Sequence, residues 1–485
     1  MKQITRSLIL NFGFWILAVM LNEVEASYSQ QIYFEKSFGG TGNDYARSVR
    51  QLSDGSIYVA GYSSGGTNGG FDFALNKLDG YGNLLWTKYY GDSLDNNGLY
   101  MNTTADGNFV FVGETQTDSN GLDIQLYKID TAGNPLWTKQ YSTSVNESAK
   151  YVMNTSDGGY ILCGFQNDSF ASNDTYIIKT DSDGNLLWDK TIGGTNNEYS
   201  DMVRETPEGD FIVTGDTKSN GAGEYDIQVI KLNSAGIAIW DSAYGDSINN
   251  GCQGILITSK NKYLSYGETE VYLFSPFDFY LQLLDTNGKT LWKKTFGGTK
   301  TDALFCAVET SDGGFMFTGY SNSYSPGPLN LIILKTDSLG NMQWVQNYGD
   351  VGIDIGYEII QSIYNGYLIA GKTFGSDDDF YLLHLDTTGM LTNSEQQAIG
   401  NQPSVTVFPN PFSESAVLRI TNFNKLQMGI LNLKIFNAIG KEVYPSVIRN
   451  SDSFAIHRGN LANGIYFYKI KGNEGIMYFG KFVIQ

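Results

Sequence analysis

From residue 33 to about residue 390, apolar residues come in short runs, each closed by Gly, Asp, Asn or Ser. These runs read as β-strands, because β-branched and aromatic residues fill them and turn residues bound them. The first unit contains "YFEKSF", "ARSVRQL", "SIYVAGYS" and "FALNKLD". No run of ten or more residues shows the helical period. The pattern then restarts. Trp86, Trp137, Trp188, Trp240, Trp292 and Trp344 are spaced 51, 51, 52, 52 and 52 residues apart. Stepping back 52 from Trp86 reaches Phe34, which takes the tryptophan slot of a first unit, so there are seven.

Two further rulers agree with the first. Gly61, Gly113, Gly164, Gly215, Gly267, Gly319 and Gly371 each end an apolar run. A D-x-x-G turn follows each fourth run, at Asp79/Gly82, Asp130/Gly133, Asp181/Gly184, Asp285/Gly288, Asp337/Gly340 and Asp386/Gly389, with Asn233/Gly236 as the variant. Asp-Gly also joins the second and third runs of most units, as tight hairpins require. Four strands in about fifty residues, seven times over, predict an all-β chain forming a seven-bladed β-propeller of four-stranded blades. A four-stranded sheet cannot bury both faces alone, so neighbouring blades must stack. The tryptophans are expected to fill the gaps between blades, and the strand glycines to mark a bulge or close backbone approach. The first run of each unit is expected to be the outer strand of the preceding blade, so the last blade is left one strand short after "FYLLHLD". The N-terminal strand at 32–38 is therefore expected to close the ring against strands near 357–363, 366–373 and 379–386, leaving no long open edge.

The ends of the chain read differently. Residues 1–26 resemble a signal peptide, with Lys2 and Arg6 ahead of a 14-residue apolar run, Leu8 to Leu21, and a small-residue site at Val24-Glu25-Ala26. That run is short for a membrane span, and no other segment of the chain could make one. The predicted layout is a signal peptide at 1–26, a propeller at 27–391, a polar linker at 392–402 and a small β-sandwich at 403–485. Cys163, Cys252 and Cys306 lie in apolar runs, where buried, inert thiols are expected, and an odd number leaves at least one outside any disulfide.

Candidate chemistry is sparse. The chain has two histidines, His384 and His457, and neither has partners for a triad or a metal site. His384 takes a position held by Lys77, Lys128, Lys179, Lys231 and Lys335 in sister units. "GYSSG" at 61–65 imitates a nucleophile elbow, but Ser63 ends a strand with no helix after it. "DSDGN" at 181–185 imitates a calcium loop without the sixth-position Gly or twelfth-position Glu. One recurring set remains: Asp44, Asn96, Glu147, Glu198, Asn250, Asp302 and Asp354, one before each second run. If that run is the innermost strand, the seven ring one mouth of the channel, either as caps on their own turns or as a site for a cation or polar ligand, calcium included. No other cofactor is indicated. Loops between the third and fourth runs vary most ("SSGGTNGG", "EVYLFSPF", "SNSYSPGP"), and binding concentrates in such loops. The net charge of −19 disfavours nucleic acid or an anionic membrane as partner and leaves cations or neutral polymers as ligands, or a charge that serves solubility alone.

Residues 33–390 resemble the propeller repeats of large exported bacterial proteins, and loosely the quinoprotein dehydrogenase repeat, without the Gly-His and Trp-Asp pair of WD40 blades. The C-terminal segment is sharper. "VTVFPNPFSESAVLRI", "LNLKIFNAIGKEV", "LANGIYFYKI" and "GKFVIQ" resemble the C-terminal sorting domain of type IX secretion substrates, through Pro409, Asn410, Pro411, Phe412, Gly440, Lys441, Leu461, Gly464, Tyr466 and Lys481. The resemblance implies passage through the periplasm, handling by the type IX machinery, and release or display on the cell surface. The expected function is a non-catalytic binding or adhesion module for a glycan or surface protein. The alternatives are a carboxylate-based glycan-active enzyme, a quinoprotein-like oxidoreductase, or a spacer. An even repeat without an aberrant blade argues against a singular active site, and blades 5 and 6 come nearest to one.

Overall fold

The structure is a computed structural model that describes residues 33–391 and 404–485 except 67–68, 118–120, 168–171, 271, 273–274, 326, 350–351, 376, 409–411, 422–429, 438–440, 450–452 and 472–476. The expected signal peptide, the linker and Pro409, Asn410, Pro411 and Gly440 lie outside the described residues. The chain divides into two compact units between Thr392 and Asn393.

The first unit is seven four-stranded antiparallel sheets, met one after another along the chain. Blades 1 to 6 occupy residues 44–90, 96–141, 147–192, 198–244, 250–296 and 302–348, each running from the channel outward. Blade 7 takes three strands from residues 355–385 and its outer strand from Phe34–Phe38. That N-terminal strand pairs antiparallel with Asp378–Leu385, from Phe34↔His384 to Phe38↔Phe380. The joint between blades 7 and 1 matches the other six. The innermost strand of blade 1, Asp44–Gln51, packs on the second strand of blade 7, Tyr367–Phe374, as each innermost strand packs on the second strand of the blade before it. The ring is closed.

Burial follows from stacking. The second and third strands of blade 1, Ile57–Ser63 and Asp72–Leu78, are buried at nearly every position, because a neighbouring blade covers each face. Their runs are therefore almost continuously apolar rather than alternating. Each fully buried Val, Leu, Ile or Phe contributes roughly 1.5–3 kcal/mol. The outer strand, Leu84–Tyr90, is mostly exposed or half-buried.

The tryptophans lie between neighbouring blades, as expected, and do so near the rim: each sits on an outer strand and is half-buried, as where Trp137 meets Tyr160 and Trp188 meets Phe211 of the next blade. Each ring lies against the D-x-x-G turn of the next blade. A Cβ placed on Gly340 would stand 2.5 Å from the Trp292 ring, one on Gly184 2.8 Å from Trp137, and one on Gly389 2.4 Å from Trp344. Phe34 holds the same place against Gly82, at 2.6 Å, and so joins blade 7 to blade 1. These glycines adopt φ of 73–81°, which only glycine takes at little cost. The turn acid fixes that shape: Asp79 accepts from the N–H groups of Tyr81 and Asn83, each at 2.9 Å. Within several blades, the recurring lysine ties down the hairpin between the first two strands, as in Lys179–Asp157 (2.8 Å) and Lys335–Asp312 (3.0 Å). His384 replaces that lysine in blade 7, and its ring packs edge-on against Tyr33 and Phe34 of the closing strand.

The second unit is also all-β. One sheet orders Ser404–Phe408, Ser415–Thr421 and Ser453–His457; the other orders Glu442–Arg449, Ile430–Asn437, Gly464–Lys471 and Met477–Ile484. Phe412, Leu418, Leu433, Ile435, Ile456, Tyr466 and Phe482 form its core, with Leu461 packed against it. The Tyr466 hydroxyl donates to the carbonyl of Ala462 at 2.8 Å, and Lys481 pairs with Phe467 across the sheet.

Candidate functional site: the channel mouth

The second run of each unit is the innermost strand, so the seven recurring polar residues do gather at one end of the channel. They are nonetheless buried, at 0–3% exposure, and turned onto their own loops. Glu198 accepts from the N–H groups of Gly194 (2.7 Å) and Ser219 (2.9 Å) and from the Thr217 hydroxyl (3.0 Å). Asp302 accepts from Ser321 Oγ (2.5 Å), Ser323 N–H (3.2 Å) and Gly298 N–H (3.3 Å). Asp44 accepts from Gly40 N–H at 3.0 Å, and Asp354 from Thr373 at 2.5 Å. Asn96 donates to the Leu94 carbonyl and accepts from Thr115, Asn250 does the same with Ile248 and Thr269, and Glu147 accepts from Thr143 and Gln166. Ser63 and its sisters at the ends of the second strands are thus largely partners of this set. Ser63 is fully buried and bonds the Asp44 carboxyl. Among the described residues, no group of three or more His, Cys, Asp and Glu is arranged to hold a metal. The three cysteines are free and buried, and burial pushes the Cys306 thiol up to about 11.

Three residues past each recurring acid or amide, the innermost strand bulges. Pairing skips one residue in every blade: Arg47, Leu99, Lys150, Asp201, Gln253, Phe305 and Tyr357. The strand glycine stands opposite. A Cβ on Gly61 would lie 1.8 Å from the Tyr45 carbonyl oxygen, and one on Gly319 2.0 Å from that of Ala303, so only glycine lets the bulged backbone come so close. The seven skipped residues line a central cavity of about 130 Å³. Tyr100, Tyr151, Met202, Cys306 and Glu358 line it one position further along their strands. A repeated backbone device therefore presents seven different side chains to one space.

The two sides of this space differ. On blades 6, 7 and 1, Phe305 packs on Tyr320 and Tyr357 (both 5.6 Å), the Arg47 guanidinium lies over Tyr357 (4.1 Å), and Tyr45 stacks on Tyr62 (4.7 Å). On blades 3, 4 and 5, Lys150 bonds Asp201 at 2.5 Å, with Asp216 and Glu268 behind them. Burial and then the Asp201 charge raise the carboxyls of both Asp216 and Glu268, the latter to about 7. Beside the cavity, Arg50 pairs with Glu358 at 2.8 Å, and Tyr100 donates to the same carboxylate at 2.6 Å. This ties blades 1, 2 and 7 together through largely buried side chains. Sequence reasoning did not single out this layer; it singled out the recurring acid-and-amide layer beside it.

The C-terminal unit identifies the chain's destination. Residues 406–485 match the family described as the secretion system C-terminal sorting domain. The chain is an exported β-propeller with a type IX sorting domain. That domain marks it for type IX-dependent export to the cell surface or the medium. No helix among the described residues is long and apolar enough to cross a membrane. No curated protein matches the chain. Solved structures similar to it include PorZ, an essential surface component of the type IX system of Porphyromonas gingivalis (13% identity over 92% of this chain and 60% of that one, TM-score 0.44). Others are the WD40 domain of Neurospora crassa Pan2 (12%, 71% and 89%, 0.46) and the extracellular domain of the one-component system BT4673 of B. thetaiotaomicron (9%, 90% and 67%, 0.31). The chain thus spans three fifths of PorZ, and likenesses this distant decide nothing about function.

Proposed function

We propose that this exported propeller is a binding module that holds an extracellular glycan or surface protein at the channel mouth without chemically changing it. One observation carries the reading: on a scaffold whose rim, hairpins and caps repeat blade after blade, the seven bulge residues facing the cavity are all different. Repetition marks what every blade needs in order to fold, and individual side chains on one surface mark a ligand. The buried acids favour binding over hydrolysis, since Glu198 and Asp302 are engaged by their own loops. Calcium belongs to this reading only as an accessory ion.

The test is a glycan array and a surface-protein pull-down with the whole chain and its Phe305→Ala variant. The reading expects a ligand that is retained, recovered unaltered and lost with Phe305→Ala. A captured ligand that ignores the substitution, or the absence of any ligand, sinks it. Released products would instead favour an enzyme.

A further inference from the structure

The propeller segment, 27–391, contains three arginines, Arg47, Arg50 and Arg204; its other fixed cations are lysines. All three lie on innermost strands. Arg50 is committed, through Nη1 to both Glu358 oxygens (2.9 and 2.8 Å) and Nε to Asn102 (3.4 Å). The other two are held in a different way. Each guanidinium lies over a tyrosine ring, Arg47 over Tyr357 at 4.1 Å and Arg204 over Tyr151 at 4.8 Å, and neither has an ion pair or side-chain hydrogen bond among the described residues. Stacking covers the face of a guanidinium and leaves its N–H edge open, and that edge matches a carboxylate in two parallel bonds. A lysine offers no such fork.

We infer that the cavity seats one carboxylate-bearing sugar at the end of an extracellular glycan, with Arg47 as its anchor. This rests on the binding reading above and names the ligand's chemistry. The expectation from net charge was a cationic or neutral ligand, and the local arrangement differs from that average. Of the charged residues lining the cavity, Asp201 is paired with Lys150 and Glu358 with Arg50, which leaves Arg47 as the one without an opposite charge beside it. Phe305, packed on Tyr357 beside Arg47, gives a sugar ring an apolar face. A cavity of about 130 Å³ admits the carboxylate end of a terminal sugar and excludes the middle of a chain.

Titration calorimetry on the whole chain, with a trisaccharide ending in glucuronic acid and its counterpart ending in glucose, tests this. The acidic probe should bind at least about tenfold more tightly, as expected for one charge-assisted bidentate contact. Arg47→Gln should erase the preference, Arg47→Lys should keep part of it, and added salt should weaken only the acidic probe. The lysine variant retains the charge and the aliphatic stem, so it controls for folding. Equal affinities, or a preference that survives Arg47→Gln, overturn the inference. Binding of neither probe overturns it too, while the broader binding reading then stands if another ligand is lost with Phe305→Ala and falls if none is.

Discussion

Replacing Gly340 with alanine tests how the blades are joined. Gly340 has φ 74°, and its Cβ would stand 2.5 and 2.7 Å from ring carbons of Trp292 on the preceding blade. Two costs follow. An alanine in the left-handed region costs about 1–2 kcal/mol. Pressing a methyl into a packed ring adds about 1–3 kcal/mol, because ring or turn must shift. The sum is about 2–5 kcal/mol. Gly313 separates the two terms, since it has φ 76° but open space around the same position. Gly313→Ala should therefore cost only about 1–2 kcal/mol. In a Trp292→Leu background the cost of Gly340→Ala should fall toward that of Gly313→Ala, and the double-mutant cycle gives the coupling directly. Urea unfolding followed by tryptophan fluorescence suits the assay, because all tryptophans beyond residue 26 lie in the propeller. Midpoints should be compared at a constant slope. If Gly340→Ala costs no more than Gly313→Ala, or the Trp292 change leaves its cost untouched, the ring-on-glycine joint does not hold the blades together.

Three more outcomes follow. Glu358→Gln should destabilise the propeller by about 3–5 kcal/mol in the same assay, because it leaves the buried Arg50 guanidinium without its counter-charge. Glu268, whose folded pKa of about 7 lies above its unfolded value, binds its proton more tightly when folded, so its contribution is greatest below about pH 4.5 and is lost as pH rises through 7. Glu268→Gln should flatten that fall, seen as a smaller loss of urea midpoint between pH 5 and 8, by up to about 3 kcal/mol. Ellman's reagent should find no reactive thiol in the native chain and three after denaturation, because Cys163, Cys252 and Cys306 are buried and their thiols are pushed up by desolvation.

The fold was legible because a propeller writes its folding requirements seven times. Gly82 to Gly389, the tryptophans and the Asp-Gly hairpins recur since each solves the same local problem, and the missing fourth strand after Leu385 pointed to Phe34–Phe38. The tryptophans were placed between blades correctly, and what spacing did not show was that each ring rests on the positive-φ glycine of the next blade's turn. The site was legible only in part, for the opposite reason. Asp44 and its six sisters stood out by recurring, and they recur because each caps its own loop. Arg47, Leu99, Lys150, Asp201, Gln253, Phe305 and Tyr357 fall at one register position and share nothing, so a search for sameness passes over them. Two signals were available: the most varied column of the second run, and three arginines confined to that run. The strand glycines did mark a bulge or close approach, but strand alternation alone does not show that Arg47 is the residue skipped.

Closure by the N-terminal strand is the claim on which the channel and its lining depend, and hydrogen exchange measures it most directly. In a closed ring, the peptide covering 33–40 is protected as well as the outer strand of another blade, such as Leu84–Tyr90, through its ladder with Asp378–Leu385. Exchange of 33–40 at the rate of a free tail, while residues 355–385 stay protected, would mean that the ring is open and that no common channel gathers the seven bulge residues.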